Sequence, residues 1–151
     1  MAVFDHRTLA MRFAEAMNRL DKTEAAQLLH PDFVTEWPQS GERVRGFENF
    51  WATIVNYPRA GVASQPANDV TTLNTQPLDA VHLVSPMFTF VTVEGAGSAG
   101  TFTIRVTYPD GSTWWIVTIY RLRDDRMASA TTFFAPEFAA PEWRAEWVEQ
   151  I

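Results

Sequence analysis

A chain of 151 residues, 46% hydrophobic and 13% aromatic, is long enough for one domain with one sizeable core and too apolar to be disordered. Its net charge of −6 argues against nucleic acid or an anionic membrane as the main partner. The absence of cysteine excludes disulfides, thiolate nucleophiles and cysteine-ligated metal centres. The opening residues, "MAVFDHRTLAMRF", hold no apolar stretch of signal-peptide length. The longest strongly apolar run, "WWIVTIY", is too short to cross a bilayer as a helix, so a soluble cytoplasmic protein is expected.

The first segment predicts a helix. Leu9, Phe13, Met17 and Leu20 recur every three or four residues, and Asp5 is placed to cap it. "LDKTEAAQLLHP" predicts a break and a short second helix, capped by Thr23 and stopped by Pro31. "DFVTEWP" then reads as a strand and "QSGERVRG" as a polar turn. "FENFWATIVNYP" reads as a third helix with Phe47, Phe50, Trp51, Ile54 and Tyr57 on one side, ended by Pro58. Residues 59–80 are polar and proline-punctuated, which predicts an extended loop.

The second half is rich in aromatic and β-branched residues. "MFTFVTVE", "TFTIRVTY", "WWIVTIYRLR" and "MASATTFFA", joined by "GAGSAG", "PDGS" and "DDR", predict an antiparallel meander. In "WWIVTIYRL" the set Trp114, Ile116, Thr118, Tyr120 and Leu122 alternates with Trp115, Val117, Ile119 and Arg121. Both faces are mostly apolar. Helices cover one, and a homodimer through the back face of the sheet is the simplest cover for the other. The proline-broken tail "PEFAAPEWRAEWVEQI" is expected to pack back on the body.

"GAGSAG" matches G-x-G-x-x-G, but a dinucleotide fingerprint needs a following helix and here a strand follows, so a hairpin loop is expected. His6, His30 and His82 show no metal-ligand spacing. His6 and His30 are expected at ordinary surface places, while His82 stands among apolar residues in "AVHLVSP". No serine sits in a nucleophile elbow. Arg105 lies mid-strand on a polar row with Thr101, Thr103 and Thr107, which suggests either a partnered pocket charge or an exposed face. Glu36 and Trp37 are neighbours in a strand, so one faces inward and the other outward.

The order of helix, short helix, "HPDFVTEWP", turn, "RGFENFW" and hairpins ending in "YRLRDDRMASATTFFAP" resembles the nuclear-transport-factor-2-like superfold. Within it the chain resembles the SnoaL-like, polyketide-cyclase-like group, over nearly its whole length. The resemblance implies one α+β domain over 1–151. Three N-terminal helices would pack on a strongly curved antiparallel sheet in a cone that encloses an apolar pocket. Members include isomerases, cyclases, hydrolases, dehydratases and proteins without catalysis, so the fold does not fix function.

Ketosteroid isomerases of this fold use a helix-1 tyrosine and an aspartate before the strand-ending proline; those positions hold Phe13 and Trp37 here. Limonene-epoxide-hydrolase-like members use an Asp–Arg–Asp set. Arg105 keeps the arginine, Thr107 and Thr132 replace the carboxylates, and Glu36 stands where that family has asparagine. The resemblance therefore implies Glu36 as general base and Arg105 as its partner and electrostatic stabiliser. Trp37, Trp51, Tyr57, His82, Thr107, Trp114, Tyr120 and Thr132 would contact a small hydrophobic substrate, with no cofactor and no metal. The alternative is a non-catalytic ligand-binding or accessory dimeric protein. For any single aromatic, core packing is the ordinary role.

Overall fold

Helix α1 (His6–Arg19) starts where the Asp5 side chain accepts a hydrogen bond from the Arg7 amide at 3.0 Å. It ends at Leu20, which turns left-handed (φ 52°). Its buried stripe is Leu9, Ala10, Ala14 and Met17. Helix α2 (Lys22–Leu28) is capped by Asp21, not by Thr23. Asp21 precedes the first helical residue, the position from which a carboxylate reaches the third amide, that of Glu24, at 3.0 Å.

A computed structural model of the chain describes residues 5–56, 71–75, 81–84, 88–107 and 112–151, with the backbone alone at 71–75, 81–84, 88–91 and 107. After α2 come β1 (Leu29–Trp37), β2 (Glu42–Arg45) and α3 (Phe47–Val55). The strands β3 (Thr71–Thr75), β4 (Val81–Val84), β5 (Phe88–Ala96), β6 (Ala99–Thr107), β7 (Thr113–Arg123) and β8 (Arg126–Pro136) follow. Thr71–Thr75 is thus a strand inside the stretch expected as loop; the rest of 59–80 lies outside the described residues.

The strands form one sheet in the order β2-β1-β8-β7-β6-β5-β4-β3. Neighbours are antiparallel except at the β1–β8 seam, where the last strand returns parallel to the first. The "DDR" hairpin is closed by Asp124 and Asp125, both at positive φ, the geometry that matches the twist of the flanking strands.

Cross-strand register and burial divide the sheet into two faces. Phe33 meets Phe50 of α3 edge-on at 5.3 Å, which fixes Phe33 toward the helices. Thr35 and Trp37 share its side of β1, as do Ala130, Thr132 and Phe134 of β8, Trp114, Ile116, Thr118 and Tyr120 of β7, and Phe102, Ile104 and Val106 of β6. The outer face carries Glu36, Arg105, Trp115, Val117, Ile119, Arg121, Thr131 and Phe133. The alternation expected within "WWIVTIYRL" is therefore present, with the tryptophan–isoleucine–threonine–tyrosine row inward.

The tail departs from expectation. Its short 3-10 turn, Glu142–Trp147, buries no residue, and Phe138, Trp143 and Trp147 are exposed. Pro136 and Pro141 break the backbone, and six residues of 3-10 helix present no continuous apolar face to the sheet. No helix among the described residues is long and apolar enough to cross a membrane.

Candidate functional site

The inner face is sealed at one end and reached by solvent at the other. At the sealed end Tyr120 is fully buried beneath the start of α1. Its hydroxyl lies 2.7 Å from Nδ1 of His6, and Nε2 of His6 lies 3.0 Å from the Gly97 carbonyl. A carbonyl only accepts, so Nε2 carries the proton donated to Gly97. In the neutral ring Nδ1 then accepts from the Tyr120 O–H. Burial pushes the Tyr120 phenol up to about 12. His6 is therefore a buried strut, 7% exposed, and not the surface residue expected. Its neighbourhood also accounts for the "GAGSAG" glycines: a Cβ on Gly95 would stand 2.4 Å from the His6 ring, and one on Gly100 2.2 Å from Tyr120 Cζ. The pattern makes room for a histidine–tyrosine pair beside a hairpin turn.

Toward the other end burial falls away. Ile116 is buried, whereas Trp37, Trp114 and Phe134 are partly exposed. Between the two ends lie the buried hydroxyls Thr118 and Thr132, 3.0 Å apart, with Thr35 buried on the neighbouring strand. In such a pair one hydroxyl donates to the other, which leaves a second O–H to donate elsewhere. Trp37 meets Phe134 edge-on at 6.3 Å. That edge is held by Gln39, whose side-chain amide both donates to the Phe134 carbonyl and accepts from its amide, extending the β1–β8 seam past Trp37. Trp51 is buried in α3, stacked on Phe47 at 6.1 Å. It is a core residue at this position.

Glu36 and Arg105 do not converge. Both stand on the outer face, Glu36 on β1 and Arg105 on β6, with β8 and β7 between them. Glu36 accepts from Arg43 Nε at 2.7 Å across the β1–β2 pair. Arg105 donates to Glu137 at 2.7 Å, and Trp115 Nε1 donates to the same oxygen at 3.1 Å. The Arg105 hydrogen bond holds the Glu137 carboxyl below its usual range, and Glu137 in turn raises the Arg105 guanidinium. The expected Glu36–Arg105 partnership is overturned by strand parity. With Thr35 buried beside Ala130, Trp37 against Phe134, and the pairing regular from Val34 to Glu36, the carboxylate at 36 must point away from the helices.

Of the expected contact residues, Trp37 and Trp114 lie on the solvent-reached half of the inner face, Thr132 is buried between its two ends, and Tyr120 lies at its sealed end. Tyr57 and the side chains of His82 and Thr107 lie outside the described residues. Thr35, Thr118 and Gln39 were missed. So was Glu42, the carboxylate that pairs with Trp37 across β1–β2 and so shares its face; it is exposed and accepts from the Ser40 hydroxyl. The alternation of "TEWPQSGE" about its turn carries the signal for Glu42. Among the described residues no cluster of three histidine, aspartate or glutamate side chains is placed to hold a metal ion.

Helices over one face of a bent sheet that returns its last strand to its first define a nuclear-transport-factor-2-like fold. The chain belongs to the SnoaL-like domain family, whose model matches residues 10–130. Among solved structures it is similar to an NTF-2 like protein of unknown function from Burkholderia xenovorans, with 23% identity, a TM-score of 0.70, and coverage of 96% of this chain and 94% of that one. It is similar to a candidate ketosteroid isomerase from Kribbella flavida at 20% identity and TM-score 0.70, covering 97% and 89% of the two chains. An LEH-like epoxide hydrolase from M. tuberculosis is similar at 13% identity and TM-score 0.55, over 87% and 84%. At these identities the likeness concerns the fold. No curated protein matches the sequence.

Proposed function

We propose that this chain binds a small, largely apolar, uncharged molecule in a pocket between the helices and the inner face, and that binding rather than proton transfer is its activity. The observation that carries this reading is the outward orientation of Glu36 and Arg105, each engaged with another partner. Among the described side chains the inner face is mainly aromatic and hydroxylic: Trp37, Trp114 and Phe134 at the rim, the Thr118–Thr132 pair behind them, and the exposed Glu42 across from Trp37. Such a surface suits a ring or chain with one carbonyl or hydroxyl oriented by the free threonine O–H. A carboxylate ligand would lose its hydration there with no counter-charge among the described side chains, and would meet Glu42 beside Trp37.

The test is a tryptophan-fluorescence titration with a panel of small cyclic ketones and alcohols. Thr118→Val and Thr132→Val should each weaken the best binder by roughly 3–10-fold, the worth of one buried hydrogen bond. Glu36→Gln should leave its affinity unchanged. Binding that is indifferent to both threonines and lost with Glu36 would overturn the reading. A cofactor-independent hydrolase or isomerase is the second reading, favoured by Glu42 sharing the face of Trp37. Under it Glu42→Gln abolishes turnover while Glu36→Gln does not.

A further inference from the structure

Glu42 opens β2 opposite Trp37 and so shares the face of that tryptophan. It forms no ion pair with any described residue; the Ser40 hydroxyl donates to it. The next residue, Arg43, is turned to the outer face, where it serves Glu36. An ionised carboxylate offers about four lone-pair sites, so one hydroxyl leaves most of its accepting capacity free. Ser40 Oγ also stands 3.3 Å from the Trp37 carbonyl, which keeps the carboxylate beside that residue.

The register brings Glu42 into one line with the buried hydroxyls. Glu42 pairs with Trp37, Trp37 and Thr132 each stand one residue past the Glu36–Thr131 pair, and Thr132 pairs with Thr118. Across four strands the line reads carboxylate, indole, hydroxyl, hydroxyl. Two strand spacings, about 10 Å, separate Glu42 from Thr132, with Trp37 between them. The two ends call for opposite groups. The Thr118–Thr132 pair has one O–H left to donate, which suits a carbonyl. Glu42 when ionised only accepts, which suits a hydroxyl and repels an anion.

We infer, resting on the binding function proposed above, that Glu42 determines specificity and that the ligand class is a ring-built hydroxyketone. Its carbonyl meets the threonine pair, its apolar body lies along Trp37, and its hydroxyl, about 10 Å from the carbonyl, donates to Glu42. The same ring system ending in a carboxylate is rejected at that end.

Isothermal titration calorimetry on the full chain at neutral pH tests this with three ketones of one body, and circular dichroism checks the folding of each variant. The probes are 4-phenylcyclohexanone, 4-(4-hydroxyphenyl)cyclohexanone, whose two oxygens match the ~10 Å of the line, and 4-(4-oxocyclohexyl)benzoate. The hydroxyl compound should bind about 3–10-fold tighter than 4-phenylcyclohexanone, and the benzoate about threefold weaker or worse. Glu42→Ala should bring the hydroxyl compound to within about twofold of 4-phenylcyclohexanone, and Glu42→Gln should recover about threefold for the benzoate. Thr132→Val should weaken all three alike. Equal affinities for the three ketones, or a ranking that survives both Glu42 variants, overturns this inference and leaves the binding reading standing. A ranking that depends on Glu42 with no effect of Thr132→Val overturns the two-ended ligand class. If the panel of cyclic ketones and alcohols yields a binder and none of these three binds, this inference falls alone. If nothing in either set binds, the binding reading falls with it.

Discussion

Replacing Gly100 with alanine tests the account of the sealed end directly. An ideal Cβ there would stand 2.2 Å from Tyr120 Cζ, 2.3 Å from its hydroxyl and 2.8 Å from His6 Nδ1. Nothing nearby can yield cheaply. Tyr120 is fully buried, leans on Phe102 at a ring separation of 5.7 Å, and is paired with Gly100 itself in the β6–β7 register. Overpacking of this kind costs about 1–3 kcal/mol. Displacing the phenol also breaks its bond to His6, worth a further ~1 kcal/mol. The sum, about 2–4 kcal/mol, is a large share of the 5–15 kcal/mol typical of a domain. Gly97 is the control. It sits at φ +57° and a Cβ there would meet nothing within 4 Å, so alanine encounters backbone strain alone, about 1 kcal/mol. Urea unfolding followed by circular dichroism would measure both. Tyr120→Leu in the Gly100→Ala background should recover at least ~1 kcal/mol relative to additivity, because the shorter side chain vacates the clash. Gly100→Ala within about 0.5 kcal/mol of the parent, or less costly than Gly97→Ala, would refute the packing argument.

Burial raises the Tyr120 phenol from its ordinary 10.0 to about 12. A raised folded-state value gives stability that is complete below pH 10 and is lost as the pH climbs through 12. The parent should lose up to about 3 kcal/mol over that interval, while Tyr120→Phe lacks this component; equal alkaline losses in both would contradict it. Asp21→Ala should cost about 1 kcal/mol through the lost cap of α2, and Thr23→Ala under about 0.5 kcal/mol, by thermal melting. The reverse order would return the cap to Thr23.

Helix stripes, hairpin loops and strand alternation were legible because each rests on local periodicity. Leu9 to Met17 and Trp114 to Tyr120 fall on the faces that their spacing implies. What escaped was set by partners far along the chain. His6 reads as an ordinary first-turn residue, yet it bonds to Tyr120 and Gly97, 114 and 91 positions away. Gln39 reads as a turn residue, and only the return of β8 beside β1 gives its amide a strand to pair with. The tail misled for the opposite reason. Tryptophan content argues for burial, but after two prolines and in a 3-10 turn its rings stand exposed.

The functional reading turns on the parity of one strand. The β1–β8 register shifts between Leu29 and Val34, but from Val34 to Glu36 the pairings of β1 with β2 and β8 run without interruption, and Thr35 is buried beside Ala130. Trp37, in contact with Phe134, follows Thr35, and Glu36 must oppose them. A bulge after Phe33 would bring the carboxylate in, but it would also turn Thr35 and Trp37 outward, emptying the buried position beside Ala130 and breaking the Trp37–Phe134 contact. The same alternation that denies the inner face a glutamate at position 36 supplies its aromatic rim and its buried hydroxyl. An acid–base role for Glu36 and a ligand wall containing Trp37 are therefore mutually exclusive in this strand, and the burial of Thr35 with the Trp37–Phe134 contact selects the wall.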